Sequence, residues 1–381
     1  MSETYIEKAL QATLHHIDEA RISVLRDDRP AGSGPVIYWM QRSQRAEDNH
    51  ALEYAILAAN ELARPLVVLF CLTDGYPEAN LRHYTFMLEG LAEINRRLAE
   101  RGIPLVVLHG EAAEILRPLT KHACLLVTDK GYLRVPRSWR AKVAEVAACP
   151  MVEIETDLVV PIELASNKRE FAARTIRPKI HKLLDNFLQP VPRIELKAAA
   201  KNSRSAAQEV RSRAKADSVT LDDPAALAAS LDIDTSVGAC SAFATGGADQ
   251  AQARLDLFLS DKIERYSENR NKPVTDDTTG LSAYLHFGQI SPIRIALAAR
   301  ELVGESDVVD EAVEDLVEEL VVRRELAFNY CYYEKDYDSY EALPDWAKTT
   351  LAEHRGDDRP HLYTAEQLEA AETDDPYWNA A

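Results

Sequence analysis

The sequence predicts an α/β domain with a doubly wound parallel sheet, followed by an all-helical domain. Three observations predict it: five short apolar runs punctuate the first half, stretches of helical period separate them, and the chain from Ala248 onward has helical period throughout.

The strands are expected at Pro35 to Met40, Pro65 to Leu72, Ile103 to His109, Ala123 to Thr128 and Met151 to Glu155, each bounded by Gly, Pro or Asp. They are apolar without alternation, as strands buried on both faces of a parallel sheet must be. Helices are expected between them, over Ala46 to Ala63 and Leu81 to Glu100. The second carries Leu81, Tyr84, Leu88, Leu91 and Ile94 along one side. Beyond Asn186 the pattern fades into a polar, Ala/Asp-rich stretch without strong periodicity, read as a connection that holds at most short helices. The expected division is an α/β domain over 1–186, a connection over 187–247 and a helical domain over 248–381. In the last of these, Ser291 and Pro292 read as the N-cap and first residue of a helix. Glu311 to Tyr333 reads as one continuous helix burying Val313, Leu316, Leu320, Phe328 and Cys331.

With 381 residues, two or three domains can each bury a core without disulfide or metal. The five cysteines are scattered and odd in number, with no CxxC pair, which fits a reduced compartment and no structural zinc. The first twenty residues carry acids early and build no leader-like apolar core. No later stretch nears the ~18 apolar residues of a membrane span, so a cytoplasmic protein is expected. The formal charge of −18 argues against coating a polyanion by bulk electrostatics. Residues 1–200 hold 26 basic and 26 acidic side chains, so the excess of acid lies wholly beyond them. Any polyanion site there must be local.

The first half lacks both G-x-G-x-x-G and a P-loop. In the second, Thr278-Thr279-Gly280-Leu281-Ser282 places hydroxyls and a glycine before a short helix. Such a turn can surround a diphosphate with hydroxyls and N–H groups, or simply cap the helix. Tyr266 and Arg270, four apart, offer an aromatic edge and a phosphate-binding fork on one helix face, or ordinary solvated surface. Glu319 and Arg323 have the spacing of an exposed helical ion pair. Basic residues cluster at Lys130, Arg134, Arg137, Arg140 and Lys142, around Tyr132 and Trp139, and again at Lys168, Arg169, Arg174, Arg177, Lys179 and Lys182. Either group could touch phosphate or pack across a domain boundary. Trp378, in DPYWNAA, reads first as a packing anchor.

In order, six blocks resemble the class II cyclobutane pyrimidine dimer DNA photolyases: IYWMQRSQRAEDNHAL (Ile37 to Leu52), REFAARTIRPKI (Arg169 to Ile180), TTGLSAYLHFGQISP (Thr278 to Pro292), EELVVRRELAFNYCYY (Glu318 to Tyr333), PDWAKTTLAEHR (Pro344 to Arg355) and YTAEQLEAAETDDPYWNAA (Tyr363 to Ala381). The resemblance implies a Rossmann-like α/β domain and a helical domain that holds FAD. It assigns Thr278, Thr279, Leu281, Ser282 and Tyr266 to the flavin, Arg270 to DNA phosphate, Glu319 to the pyrimidine pair and Trp378 to an electron-transfer chain. The implied reaction is light-driven: a dimer flipped from UV-damaged DNA is split by an electron from reduced FAD. A second, antenna chromophore is a family property that no local motif here decides.

Two departures stand out. Phe328 replaces a polar or acidic residue in RRELA-x-N. Family members also continue past the W-N-A-A block, so an incomplete helical domain, lacking the inner tryptophan and one wall of the flavin pocket, is expected. The alternatives are a truncated, repair-inactive flavoprotein or a damaged-DNA-binding or photoreceptor relative, and a nucleotide-dependent α/β enzyme. The missing phosphate fingerprint weighs against the last.

Overall fold

A computed structural model describes residues 16–197 and 202–380; the N-terminal segment read above as carrying no leader lies largely outside them. The chain divides into two compact units, Met1–Tyr333 and Glu334–Ala381.

The larger unit is built on a seven-stranded sheet. Its strands are β1 (Ile22–Arg26), β2 (Val36–Trp39), β3 (Leu66–Leu72), β4 (Leu105–His109), β5 (Leu125–Asp129), β6 (Met151–Ile154) and β7 (Asp217–Ser218), in the spatial order β1-β6-β5-β2-β3-β4-β7. The five inner strands are the five predicted apolar runs and pair in parallel, Val36 standing opposite Leu66 on one side and Leu125 on the other. Both outer strands are antiparallel additions that no apolar run announces: β1 is short and half-exposed, and β7 has two residues.

Alternation along the buried strands sends side chains to two cores. Tyr38, Val68, Val107 and Val127 meet helices His50–Leu62 and Leu81–Glu100; Ile37, Leu69, Val106 and Leu126 meet Ala112–Thr120, Arg134–Val146 and Ser203–Arg213. Helix Leu81–Glu100 has the predicted bounds, and Tyr84, Leu88, Leu91 and Ile94 are buried as its period requires. The 187–247 stretch does more than connect. It supplies helix Ser203–Arg213, whose Ala206, Ala207 and Val210 cover the sheet, then β7, then helix Pro224–Ala229 against Leu81–Glu100.

The helical layer of this unit, beginning at Ala248, surrounds a separate core that includes Leu255, Phe258, Tyr266, Leu281, Tyr284, Ile293 and Leu316. Ser291 caps helix Pro292–Arg300 by accepting the Ile293 N–H at 3.2 Å. The long helix predicted over Glu311 to Tyr333 is instead Asp307–Val317 and Arg324–Tyr333, joined by a π-helical segment, Glu318–Arg323. One extra residue per turn rotates everything after it. Val313, Leu316 and Leu320 are buried as expected, whereas Phe328 and Cys331 turn toward another cluster, with Tyr132, Leu158 and Ile162.

The smaller unit consists of helices Asp345–Glu353, Ala365–Glu369 and Pro376–Ala380 with short 3-10 turns. Among the described residues no helix is long and apolar enough to cross a membrane.

Candidate functional site

The Thr278–Ser282 turn is held from below. Gly280 has φ +62°, a left-handed conformation that suits glycine, and a Cβ there would sit 3.2 Å from the Arg254 guanidinium. Leu281 is fully buried, and its N–H donates to Thr279 Oγ1 at 3.3 Å. Just before the turn, Asp277 accepts from Arg265 at 3.1 Å and Asn269 at 2.6 Å, tying it to helix Ile263–Asn269. With its apolar residue inward, the turn presents Thr278 and Ser282 to solvent.

That helix carries Tyr266, buried against Phe258 with ring centroids 5.4 Å apart, and burial raises its phenol above the ordinary value. Arg270, one turn on, places its guanidinium 6.0 Å from the Tyr266 ring centroid. Its Nη1 donates to Glu319 Oε1 at 2.8 Å and its Nη2 to Asp315 Oδ1 at 3.2 Å. Two polar atoms here are buried without a partner among the described residues: Arg270 Nε and the Ser267 hydroxyl.

The π-helical segment sets which carboxylate faces which cation. Glu319 does not pair with Arg323, as α-helical spacing predicted. Arg323 reaches back five residues to Glu318 at 3.1 Å, and Arg177 grips the same carboxylate with two bonds of 2.9 and 2.6 Å. Glu319 is thereby left to Arg270.

A concavity of about 290 Å³, apart from the Thr278–Ser282 turn, lies at the C-terminal ends of the parallel strands, the place where open α/β sheets bind ligands. Met40, Cys71, Tyr76, Tyr132 and Trp139 line it, and His286 and Phe287 close it from the helical layer. The Thr278–Ser282 turn, Tyr266 and Glu319 take no part in it. Asp129 shapes its rim by accepting the N–H groups of Gln41, Arg42 and Ser43 at 2.9, 2.6 and 2.9 Å. Burial pushes the Cys71 thiol well above its ordinary range, and the residue forms part of the cavity wall.

Beneath this rim the loop after β6 binds the two layers together. Asp157, fully buried, pairs with Arg42 and, at 2.6 Å, with Arg324. Burial alone would raise its pKa, but the two guanidiniums hold it well below the usual carboxylate range. Arg21 donates to the carbonyls of Leu158 and Val159, and the Tyr132 hydroxyl donates to Glu155. Phe328 packs edge-on against Tyr132 at 5.1 Å, with the Arg324 guanidinium 4.7 Å from its ring.

The structure thus brings Tyr266, Arg270 and Glu319 together and links the Thr278–Ser282 turn to their helix through Asp277. Trp378 belongs to the smaller unit, where its indole N–H donates to the Leu368 carbonyl at 2.9 Å. Much of the first basic cluster is used in packing: Arg140 is buried on Glu153 at 3.0 Å and Lys130 pairs with Glu163 at 3.1 Å. Sequence reasoning missed Asp315 and the cavity. The first had a signal, standing one helical turn before Glu319; the second is assembled from five loops and had none.

Residues 36–196 match the family model for DNA photolyase. The chain is 39% identical to a deoxyribodipyrimidine photo-lyase of Methanothermobacter thermautotrophicus over 366 residues, covering 96% of this chain and 77% of that protein. Enzymes of the same name from Arabidopsis thaliana and Potorous tridactylus are 36% and 37% identical, each over 91% of this chain and over 69% and 62% of their own lengths. The fold is similar to a class III photolyase from Agrobacterium tumefaciens (TM-score 0.54, 19% identity, 85% of this chain and 66% of that one). It is also similar to a Synechocystis cryptochrome (TM-score 0.59, 14% identity, 79% and 62%). With its parallel-sheet and helical layers as predicted and this degree of identity along nearly all its length, the chain belongs to the DNA photolyase/cryptochrome family.

Proposed function

We propose that the protein is a class II photolyase that repairs cyclobutane pyrimidine dimers in DNA by light-driven electron transfer from reduced FAD. The observation that carries this reading is the meeting of Arg270, Glu319 and Tyr266 beside the hydroxyl-bearing turn. A cation for phosphate, a carboxylate for a base edge and donors for a diphosphate thereby share one region.

The residues fit a flavin dinucleotide. The exposed Thr278 and Ser282 hydroxyls, Thr279 and the unpartnered Ser267 hydroxyl offer neutral donors, which suits a diphosphate in an acidic half of the chain. Bound there, reduced FAD would supply the photoexcited electron that opens the cyclobutane ring. Thr278, Thr279 and Ser282 hold the diphosphate, Leu281 anchors the turn, and Tyr266 packs beside the cofactor. Arg270 takes a DNA phosphate near the lesion, and Glu319 hydrogen-bonds the flipped pyrimidine pair, fixing its orientation. Trp378 serves in the electron chain that keeps the flavin reduced. In this reading the sheet built on 1–186, with the helix and edge strand that 187–247 adds to it, is the light-harvesting and structural part, and the helices from 248 onward hold FAD. The cavity at the strand ends supports a second, antenna chromophore in the first of these. The substrate is UV-damaged DNA in the cytoplasm.

The test is to purify the chain, record flavin absorbance, and follow thymine dimers in irradiated DNA with and without light. Light-dependent loss of dimers is expected. A colourless protein without repair overturns the reading. A yellow protein that binds irradiated DNA without repairing it would establish the alternative, a repair-inactive flavoprotein or photoreceptor relative.

A further inference from the structure

Arg270 does not stand open to solvent as a DNA-facing cation should. Asp315 and Glu319 hold both terminal nitrogens of its guanidinium, Tyr266 lies beside it, and its Nε is buried. The two carboxylates come from one continuous helical run, Asp315 from the last turn of Asp307–Val317 and Glu319 from the start of the π-helical segment. They differ in exposure: the Glu319 side chain is 44% accessible, Asp315 29% and Arg270 22%. The outer clasp can therefore open while the inner one keeps the guanidinium in place.

This has a consequence for which DNA is admitted. Undamaged duplex has nothing to offer Glu319, so a phosphate reaching Arg270 must expel a carboxylate without compensation. A flipped pyrimidine pair draws Glu319 onto its own edge and vacates one face of the guanidinium at the same moment. We propose that Asp315 is a specificity-determining residue that acts through Arg270: with Glu319 it neutralises the guanidinium in the free protein, so that the phosphate contact forms only when the lesion has taken Glu319. This rests on the roles proposed above for Arg270 and Glu319.

The experiment measures binding of the full chain and its Asp315→Asn variant to irradiated and unirradiated duplex across a salt series. In the variant, affinity for unirradiated DNA is expected to rise about three- to tenfold, and the slope of log K against log salt to steepen by about one, the signature of one added phosphate contact. Affinity for irradiated DNA should change less than about twofold, so the discrimination ratio falls. Asp315→Glu, which restores the charge, should restore the ratio. A plain structural tie between helices would lower the thermal midpoint and leave the ratio and slope unmoved, which overturns the proposal. An equal gain on both DNAs marks a general charge effect and overturns it as well. If the unaltered chain fails to distinguish the two DNAs, the underlying reading of Arg270 and Glu319 is lost, an outcome distinct from an intact wild-type preference that Asp315→Asn does not touch.

Discussion

Glu325, on helix Arg324–Tyr333, accepts the backbone N–H of Val159 at 2.6 Å, clamping the helical layer to the loop after β6. The same oxygen accepts from Val160 at 3.2 Å, while its other oxygen has no partner among the described residues. Burial, only partly opposed by the two N–H groups, pushes this carboxyl from its ordinary 4.5 up to about 8. The folded protein therefore keeps a proton that the unfolded chain releases between those values. The stability contributed is complete below the lower value and is lost as pH rises through the upper one. The thermal midpoint of the larger unit is expected to drop by several degrees between about pH 5 and pH 9, and Glu325→Gln should flatten that slope. A variant with the wild-type slope would assign the pH dependence elsewhere.

Asp157 carries the opposite sign. Its pKa is held below the 3.8 of a free aspartate, so its contribution is present above that value and fades as pH falls. Asp157→Asn leaves Arg42 and Arg324, both partly exposed, without their counter-charge, a change expected to cost about 1.5–3 kcal/mol. Urea unfolding at neutral pH checks this; a loss under about 1 kcal/mol would mean the two arginines find other partners.

Gly288 stands where the helical layer meets the loop after β2. Its φ is +66°, a Cβ would fall 2.0 Å from the Arg42 carbonyl oxygen, and its own carbonyl accepts from Arg45 at 3.0 Å. Gly288→Ala is expected to destabilise by at least about 2 kcal/mol from backbone strain and the displaced contact. Gly304 also has a positive φ, at +96°, but nothing lies within 4 Å of its Cβ position, so alanine there should cost only about 1 kcal/mol. Equal losses at the two sites would count against a role for the Arg42 contact.

The hydroxyl turn is tested through flavin affinity. Hydrogen bonds to a charged diphosphate contribute about 1.5–3 kcal/mol, so Thr278→Ala and Ser282→Ala should each weaken flavin retention by roughly tenfold or more. Both side chains are exposed, and folding should be little changed. Flavin content that survives the double substitution would remove these hydroxyls from the site.

The parallel core was legible because strands buried on both faces do not alternate: VIYW, LVVLF and ACLLV are apolar without interruption. β1 and β7 were not, since short, half-exposed edge strands carry little hydrophobic signal. The helix after Asp307 was legible as a helix but not in register. The sequence EELVVRRE contains no proline or glycine to mark the π-helical insertion, and tertiary pairing of Glu318 with Arg177 accompanies it. For the same reason Glu319 was assigned the wrong ionic partner. Spacing singled out Tyr266, Arg270 and the Thr278–Ser282 turn as candidates without choosing a role for them; that Arg270 is already occupied by Asp315 depends on two helices packing side by side, which no local pattern encodes.

The two antiparallel edges also bear on where the protein can be divided. β7 and helix Ser203–Arg213 lie beyond the end of the sequence-defined α/β domain, yet one covers the outer edge of β4 and the other roofs Leu69, Val106 and Leu108. A polypeptide ending at Asn186 would leave β4 as a naked edge beside an uncovered apolar face, a template for pairing with its own copies. Such a piece should self-associate more strongly than one extended past Val219, and light scattering on the two would show it. The polar, repeat-free stretch that looks most dispensable in the sequence is what keeps the sheet from growing.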